Sequence, residues 1–187
     1  MPILHKDFFE LPTLLVAEQL LGKLLVVKRG KVETRVVIEE VEAYDGFLDM
    51  ASHAHRGKTA RNEIMFGPAG FWYVYLIYGM YWMLNVTTGP VDYPAAVLIR
   101  SVRTLEGKSI DGPGKITRFL GVGKQFNKQP AKVTSGLWIE DGGIVVPKKM
   151  ILKTPRIGVL YAGPVWAEMP YRFLVSPSFT FSLKGIQ

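Results

Sequence analysis

Phe71-Trp72-Tyr73-Val74-Tyr75-Leu76-Ile77-Tyr78-Gly79-Met80-Tyr81-Trp82 packs seven aromatic residues into twelve positions, four of them tyrosines, and about a third of the chain's aromatics fall here. A stretch built only for packing would favour Leu, Ile and Phe. Tyrosine instead joins a flat, stackable face to a hydroxyl that seeks a polar partner. No charged residue occurs between Glu63 and Asp92, yet the polar Asn85 stands inside the run. The apolar segment from Phe71 to Val86 is only sixteen residues long, is preceded by Gly67, Pro68 and Gly70 and is broken by Gly79. A membrane-spanning helix needs about 20 apolar residues. The composition predicts a hairpin instead: a strand from Phe71 to Tyr78, a bend near Gly79-Met80, and a strand from Tyr81 to Thr88. Its aromatics can be core, or a platform on which flat ligands such as nucleobases stack.

Upstream of this hairpin, Pro12 opens and Gly22 closes an apolar helix containing Leu14, Leu15, Val16, Ala17, Leu20 and Leu21. Lys23 to Arg29 and Val32 to Tyr44 read as strands around the Gly30-Lys31 turn. Asp45 to Lys58 is loop-like, and Thr59 is placed to cap a short helix ending at Phe66. Downstream, Ala95 to Val102 reads as a strand, Gly112-Pro113-Gly114 introduces a helix from Lys115 to Leu120, and Leu137 to Glu140, Lys153 to Gly158 and Tyr171 to Val175 read as short strands. No repeat or long linker divides residues 1–187. The expectation is a single α+β domain on a curved, mainly antiparallel sheet, a partly open barrel with several short helices.

The 187 residues are enough to bury a core without covalent staples, and the chain has no cysteine. Disulfides, thiolate metal sites and a cysteine nucleophile are therefore excluded. Met1 to Asp7 lacks a signal-peptide core, so a cytoplasmic, nucleoid-associated protein is expected. The net charge of +7 is uneven: residues 1–93 carry 9 basic against 11 acidic side chains, and residues 94–187 carry 14 against 5. A basic half suits a polyanionic partner.

Five acids lie from Glu39 to Asp49. Strict alternation along the second strand puts Val36, Ile38, Glu40, Glu42 and Tyr44 on one face, so that an apolar row runs into carboxylates. Partly buried, crowded carboxylates have raised pKa values, the usual device of a general acid or base; a solvated acidic sheet edge is the plain alternative. The His53-Ala54-His55 pair could hold one edge of a metal, but with no cysteine in the chain a third ligand must come from a carboxylate, and a structural or hydrogen-bonding role is the simpler reading. No phosphate-binding glycine loop and no G-x-S-x-G turn is present.

The order Glu42-Ala43-Tyr44, His53, Arg61-Asn62, Met65-Phe66, Tyr73-Val74-Tyr75-Leu76-Ile77-Tyr78-Gly79-Met80-Tyr81, Asn85 and Val97-Leu98-Ile99-Arg100 resembles the alkyladenine (3-methyladenine) DNA glycosylase family. The match runs from the Leu-rich helix to Arg172-Phe173 and is densest between Val41 and Arg103. The resemblance implies a catalytic Glu42 that activates the water attacking the sugar C1′, with Arg100 holding that water. It implies Tyr44, His53 and Tyr75 as walls around an extruded base, and Asn85 as the pocket residue that disfavours the amino group of guanine. Tyr78 would enter the base stack, with Met80 and Tyr81 on the minor-groove side. No lysine is placed for a Schiff base, so hydrolysis without strand cleavage is expected, on alkylated or deaminated purines such as 3-methyladenine, 7-methylguanine, hypoxanthine and ethenoadenine.

Arg56, Lys58, Arg61 and Lys115 are the candidate phosphate contacts. The expected partner is double-stranded DNA containing a damaged purine, bound by a monomer without cofactor, metal, membrane or obligate protein partner. The loop from Asp45 to Met50 is more apolar than its acidic counterpart in vertebrate members of the family it resembles, Trp72 and Trp82 are bulky beside the platform, and the short form leads one to expect a bacterial or archaeal member. A non-catalytic nucleic-acid-binding module using the same aromatics is the second reading, and a small-molecule-binding or formyltransferase-like barrel the third.

Overall fold

The computed structural model describes residues 1–183 and 185. In chain order the elements are α1 (Lys6–Phe9), α2 (Thr13–Leu20), β1 (Leu24–Arg29), β2 (Val32–Asp45), β3 (Trp72–Ile77), β4 (Tyr81–Thr87), β5 (Ala95–Thr104), β6 (Ser109–Asp111), α3 (Pro113–Leu120), β7 (Leu137–Glu140), β8 (Ile151–Thr154), α4 (Gly163–Glu168) and β9 (Arg172–Val175). The fold is α+β. Nine strands form one antiparallel sheet in the order β3-β4-β5-β2-β1-β7, with β6 on β5, β9 on β2 and β8 on β9. The ends of the order do not pair, so the sheet is not closed. No helix among the described residues is long and apolar enough to cross a membrane.

Strand β2 is the hub. β5 pairs along most of its length, while its other edge is shared, first by β1 from Val32 to Val37 and then by β9 from Glu40 to Glu42. The handover coincides with an irregularity in the β2–β5 ladder. Ile38 pairs with Val102, Glu40 with Ser101 and Val41 with Ile99, so Glu39 on one strand and Arg100 on the other have no partner in the register. Two residues therefore lie between successive core positions on each strand, where a regular strand has one.

This irregularity corrects the face assigned by alternation. Val36 and Ile38 share the main core with Val41 and Ala43, whereas Glu40, Glu42 and Tyr44 leave it. The bulge moves the acidic residues out of the core without breaking its apolar row. The same core takes Leu25 and Val27 from β1, Val97, Ile99 and Val102 from β5, and Trp72 and Val74 from β3, and it is covered by α2 and α3 through Val16, Leu20, Ile116 and Leu120. Trp72 is thus core rather than a flank of the platform, with its indole N–H donating to Leu137 O at 2.9 Å.

Three further expectations shift. Tyr78 belongs to the hairpin turn rather than to the strand: Met80 N–H donates to Ile77 O at 3.1 Å, and Tyr78 and Gly79 have φ of 51° and 69°. Positive φ at both central positions is the sign pattern of a type I′ turn, where Asn-Gly is the usual pair. Thr59 heads a turn closed by exchange with Asn62 (Thr59 N–H to Asn62 Oδ1, 2.6 Å), and only a single 3-10 turn, Glu63–Phe66, follows. The expected strand from Lys153 to Gly158 is instead β8 plus a bend that carries Pro155 to Gly158 across the sheet face opposite the main core.

Candidate active site

The cross-strand pairs Tyr73–Asn85, Tyr75–Met83, Asn85–Leu98, Glu42–Leu98 and Tyr44–Ala96 stand on the face of the sheet away from the main core. Loops at residues 51–53 and 157–161 close over this face and leave a cavity of about 290 Å³. Glu42, Tyr44, His53, Tyr75, Tyr78, Asn85 and Arg100, seven residues expected from the sequence, all line it. Alternation along β3 explains the sorting: Trp72 and Val74 enter the core while Tyr73 and Tyr75 enter the cavity.

Glu42 forms the floor and is fully buried. Tyr44 OH donates to its Oε2 at 2.9 Å and the Ile157 N–H to its Oε1 at 2.7 Å, while Arg100 Nε lies 3.4 Å from Oε1. Burial pushes the Glu42 pKa up; Arg100, the Ile157 N–H and the Tyr44 hydroxyl pull against it, and Glu40 adds to the rise. The carboxylate is thereby kept basic yet held in one orientation, as a general base requires. Arg100 is shared, with its Nε 3.1 Å from Glu40 Oε1, and Glu40 also meets Arg172 at 3.3 Å.

The walls are aromatic. Tyr73 and Tyr75 are tilted by 35° with centroids 4.8 Å apart, and His53 meets Tyr75 edge-on at 4.7 Å. His53 Nδ1 is 3.0 Å from Tyr73 OH, and its backbone carbonyl accepts from the Asn62 amide at 2.9 Å, which pins the loop to the wall. His53 is open on the cavity side. Even so, the protein packed behind it, and then the charges of Arg61 and His55, hold its pKa below the usual imidazole value, so the ring is neutral. Burial raises the tyrosine hydroxyls, Tyr73 to about 12 and Tyr44 and Tyr75 further, so all three remain protonated. Asn85 is buried and donates its amide to Tyr73 O at 3.0 Å.

Tyr78 is 85% exposed at the mouth, and a left-handed conformation at a non-glycine residue is unfavourable by about 1–2 kcal/mol. Met80 and Tyr81 are exposed beside it, and Tyr81 leans on Gly114, where an added Cβ would come within 2.7 Å of its ring. The basic candidates lie outside the cavity. Lys115 is exposed on α3, Lys58 sits over the Phe66 ring and Arg56 donates to His55 Nε2. Arg61 donates to Leu76 O at 3.0 Å and covers the Tyr75 ring with its guanidinium 5.1 Å from the centroid, an engagement that a free phosphate contact would lack.

Sequence reasoning missed the support behind Glu42. Arg156 is buried and pairs bidentately with Asp49, Nη1 to Oδ2 at 2.5 Å and Nη2 to Oδ1 at 2.8 Å; Nη1 also donates to Ala43 O at 2.8 Å. Its guanidinium lies 4.9 Å from the Tyr44 ring centroid and 5.2 Å from that of Tyr171. The pair ties the segment carrying Ile157 to the loop after β2, and Tyr161 OH adds a bond to Ala51 O at 2.8 Å. Only an arginine amid apolar residues signalled this role, and nothing in the sequence pointed to its partner.

The sequence profile of the family described as methylpurine-DNA glycosylase matches residues 7–178. Relatives include a protein of Methanocella arvoryzae, 45% identical over 92% of each chain, and one of Myxococcus xanthus, 44% identical over 94% of this chain and 91% of its own. A Rickettsia felis protein is 43% identical over 84% of this chain and 86% of its own. All three carry the provisional name 3-methyladenine DNA glycosylase.

Proposed function

The chain belongs to the methylpurine-DNA glycosylase family, enzymes that hydrolyse N-glycosidic bonds in DNA, and from that premise we propose a mechanism in which Glu42 is the catalytic base of a monofunctional glycosylase acting on extruded purines. The observation that carries the proposal is the fully buried, triply contacted carboxylate on the floor of an aromatic cavity. A base inside a duplex cannot reach such a floor, so the nucleotide must leave the stack at an expense of a few kcal/mol. Tyr78, already exposed on the hairpin turn, fills the gap, with Met80 and Tyr81 beside it in the minor groove. Tyr44, Tyr75 and His53 enclose the base, whose stacking favours electron-rich faces when it is alkylated and positively charged. Asn85 stands where an exocyclic amino group on guanine would meet it.

Water then attacks C1′ as the C1′–N bond breaks and its electron pair leaves with the base. Glu42 accepts the proton of the water and stabilises the oxocarbenium-like sugar, and Arg100 orients the water. The products are free base and an abasic site, with no covalent intermediate. 3-Methyladenine and 7-methylguanine leave readily because of their charge. Hypoxanthine and ethenoadenine are neutral and require a proton on the departing base, which is taken from solvent; they fall within the proposed range. Arg56, Lys58 and Lys115 are proposed to meet phosphates, and residues 1–187 to act as one domain and as a monomer in the cytoplasm. The test is a duplex oligonucleotide with one hypoxanthine, ethenoadenine or 7-methylguanine, incubated with wild type and Glu42→Gln and developed with hot alkali. Release by wild type, with Glu42→Gln binding the lesion but leaving it intact, is expected. Equal release by both would remove Glu42 from the chemistry.

A further inference from the structure

The loop before β3 contributes a cation that no step of the hydrolysis uses. Arg61 is exposed, yet it is fixed at two points, by its bond to Leu76 O and by its stack on Tyr75. It does not line the cavity, whereas Tyr75 does, so the guanidinium acts on an occupant of the cavity through the ring and not by direct contact. We propose that Arg61 is a specificity-determining residue: its guanidinium, held on the outer side of Tyr75, biases the cavity against positively charged bases and towards neutral ones. The inference rests on the reading of this cavity as a base pocket.

Two observations support the assignment. A ring already engaged by a cation has less of its quadrupole to offer to a second one, and two like charges held against one partly buried ring repel. The charge also reaches the neighbouring wall. Arg61 acts on Tyr73, Tyr75 and His53, and it is among the groups that hold His53 in its neutral form. The other groups facing His53 are Tyr73 and Tyr75 from β3 and His55 from its own loop, the last bonded to Arg56. A family whose substrates include cationic purines gains nothing for those substrates from a cation at this place. Discrimination between cationic and neutral bases gives it a purpose.

The experiment compares wild type, Arg61→Gln and Arg61→Lys in single-turnover release of 7-methylguanine, which is cationic, and hypoxanthine, which is neutral. NMR titration of the His53 ring follows in parallel. Arg61→Gln should raise the 7-methylguanine-to-hypoxanthine rate ratio about 2- to 5-fold, the range for an exposed cation on a ring, with Arg61→Lys nearer to wild type because the charge is kept. The His53 pKa should rise in Arg61→Gln and stay in Arg61→Lys. An unchanged ratio, or equal loss on both lesions with a salt dependence shallower by about one phosphate, would make Arg61 a backbone contact and overturn the proposal. Failure of wild type to release either base would refute the base-pocket reading itself. The His53 titration would still discriminate in that case, since an unmoved pKa in Arg61→Gln also overturns the role of Arg61.

Discussion

Replacing Asp49 by Asn should lower the melting temperature by roughly 10 °C. The magnitude follows from what the substitution leaves behind. Both side chains of the Asp49–Arg156 pair are wholly without solvent contact. Arg156 donates to both carboxylate oxygens, and Asp49 also accepts from the backbone N–H groups of Asp45 at 3.1 Å and Ala51 at 3.0 Å. Asparagine keeps one acceptor and turns an NH2 toward donors already in place. The guanidinium keeps its charge, with Ala43 O and a longer contact to Trp166 O as remaining partners. Breaking a buried ion pair in this way destabilises by about 3–5 kcal/mol, although the intact pair need contribute little net stability. In a domain of this size each kcal/mol moves the midpoint by about 2–4 °C. Urea unfolding followed by circular dichroism, on Asp49→Asn, Arg156→Met and the double variant, measures the coupling. The double variant should recover most of the loss, with an interaction energy above about 2 kcal/mol. A single Asp49→Asn variant within about 1 kcal/mol of wild type would refute the claim that the charges are sealed from water. A functional echo is also expected. Arg156 immediately precedes the residue whose N–H holds Glu42, so Asp49→Asn should release base more slowly even where it is fully folded.

Other expectations follow from the same geometry. Glu42 has a pKa raised in the folded state, so its contribution to stability is full below its ordinary value of 4.5 and is lost as pH rises through the higher folded value. Glu42→Gln should accordingly be at least as stable as wild type at pH 7, and a lower urea midpoint there would contradict the sign. Glu40→Gln removes a like charge from beside Glu42 and a competitor for Arg100; both effects favour ionised Glu42, so the acid limb of the pH–rate profile should move down. A stationary limb would separate Glu40 from the base. Tyr78→Gly should leave stability within about 1 kcal/mol of wild type, since relieved backbone strain offsets added freedom in the unfolded chain. The same variant should hold a lesion duplex about tenfold more weakly, because the wedge is gone and stacking on one aromatic is worth about 1–3 kcal/mol per base. Undiminished retention in a gel-shift assay would place the wedge elsewhere.

How far the sequence could be read depended on whether a feature was local. The hairpin, the β1–β2 turn and the short α3 helix announce themselves through glycine, proline and period-two aromatics, and the structure has them within a residue or two. Alternation also separates Trp72 from Tyr73 and Tyr75 once one face is known to be core. Failure came where two distant segments meet. Nothing within Val36 to Tyr44 reveals that β5 and β9 impose a skipped residue there, so alternation carries Glu40, Glu42 and Tyr44 on in the row of Val36 and Ile38, and only the oddity of carboxylates in that row points to a cavity or rim. Asp49 and Arg156 are 107 positions apart, and neither carries a mark of its partner. Arg61 looked like any exposed arginine until its ring partner was visible, and Thr59 looked like a cap because its exchange with Asn62 mimics one.

The unpaired residues Glu39 and Arg100 restrict how this protein can change in length. Because each strand carries one extra residue, pairing resumes in step on both sides of the irregularity. Loss or gain of a single residue in β2 alone would throw one side out of register and turn Glu42 and Tyr44 toward the hydrophobic layer. Related chains can therefore lengthen or shorten freely in the connecting loops. Within this strand pair they can do so only in matched steps, one residue on each strand.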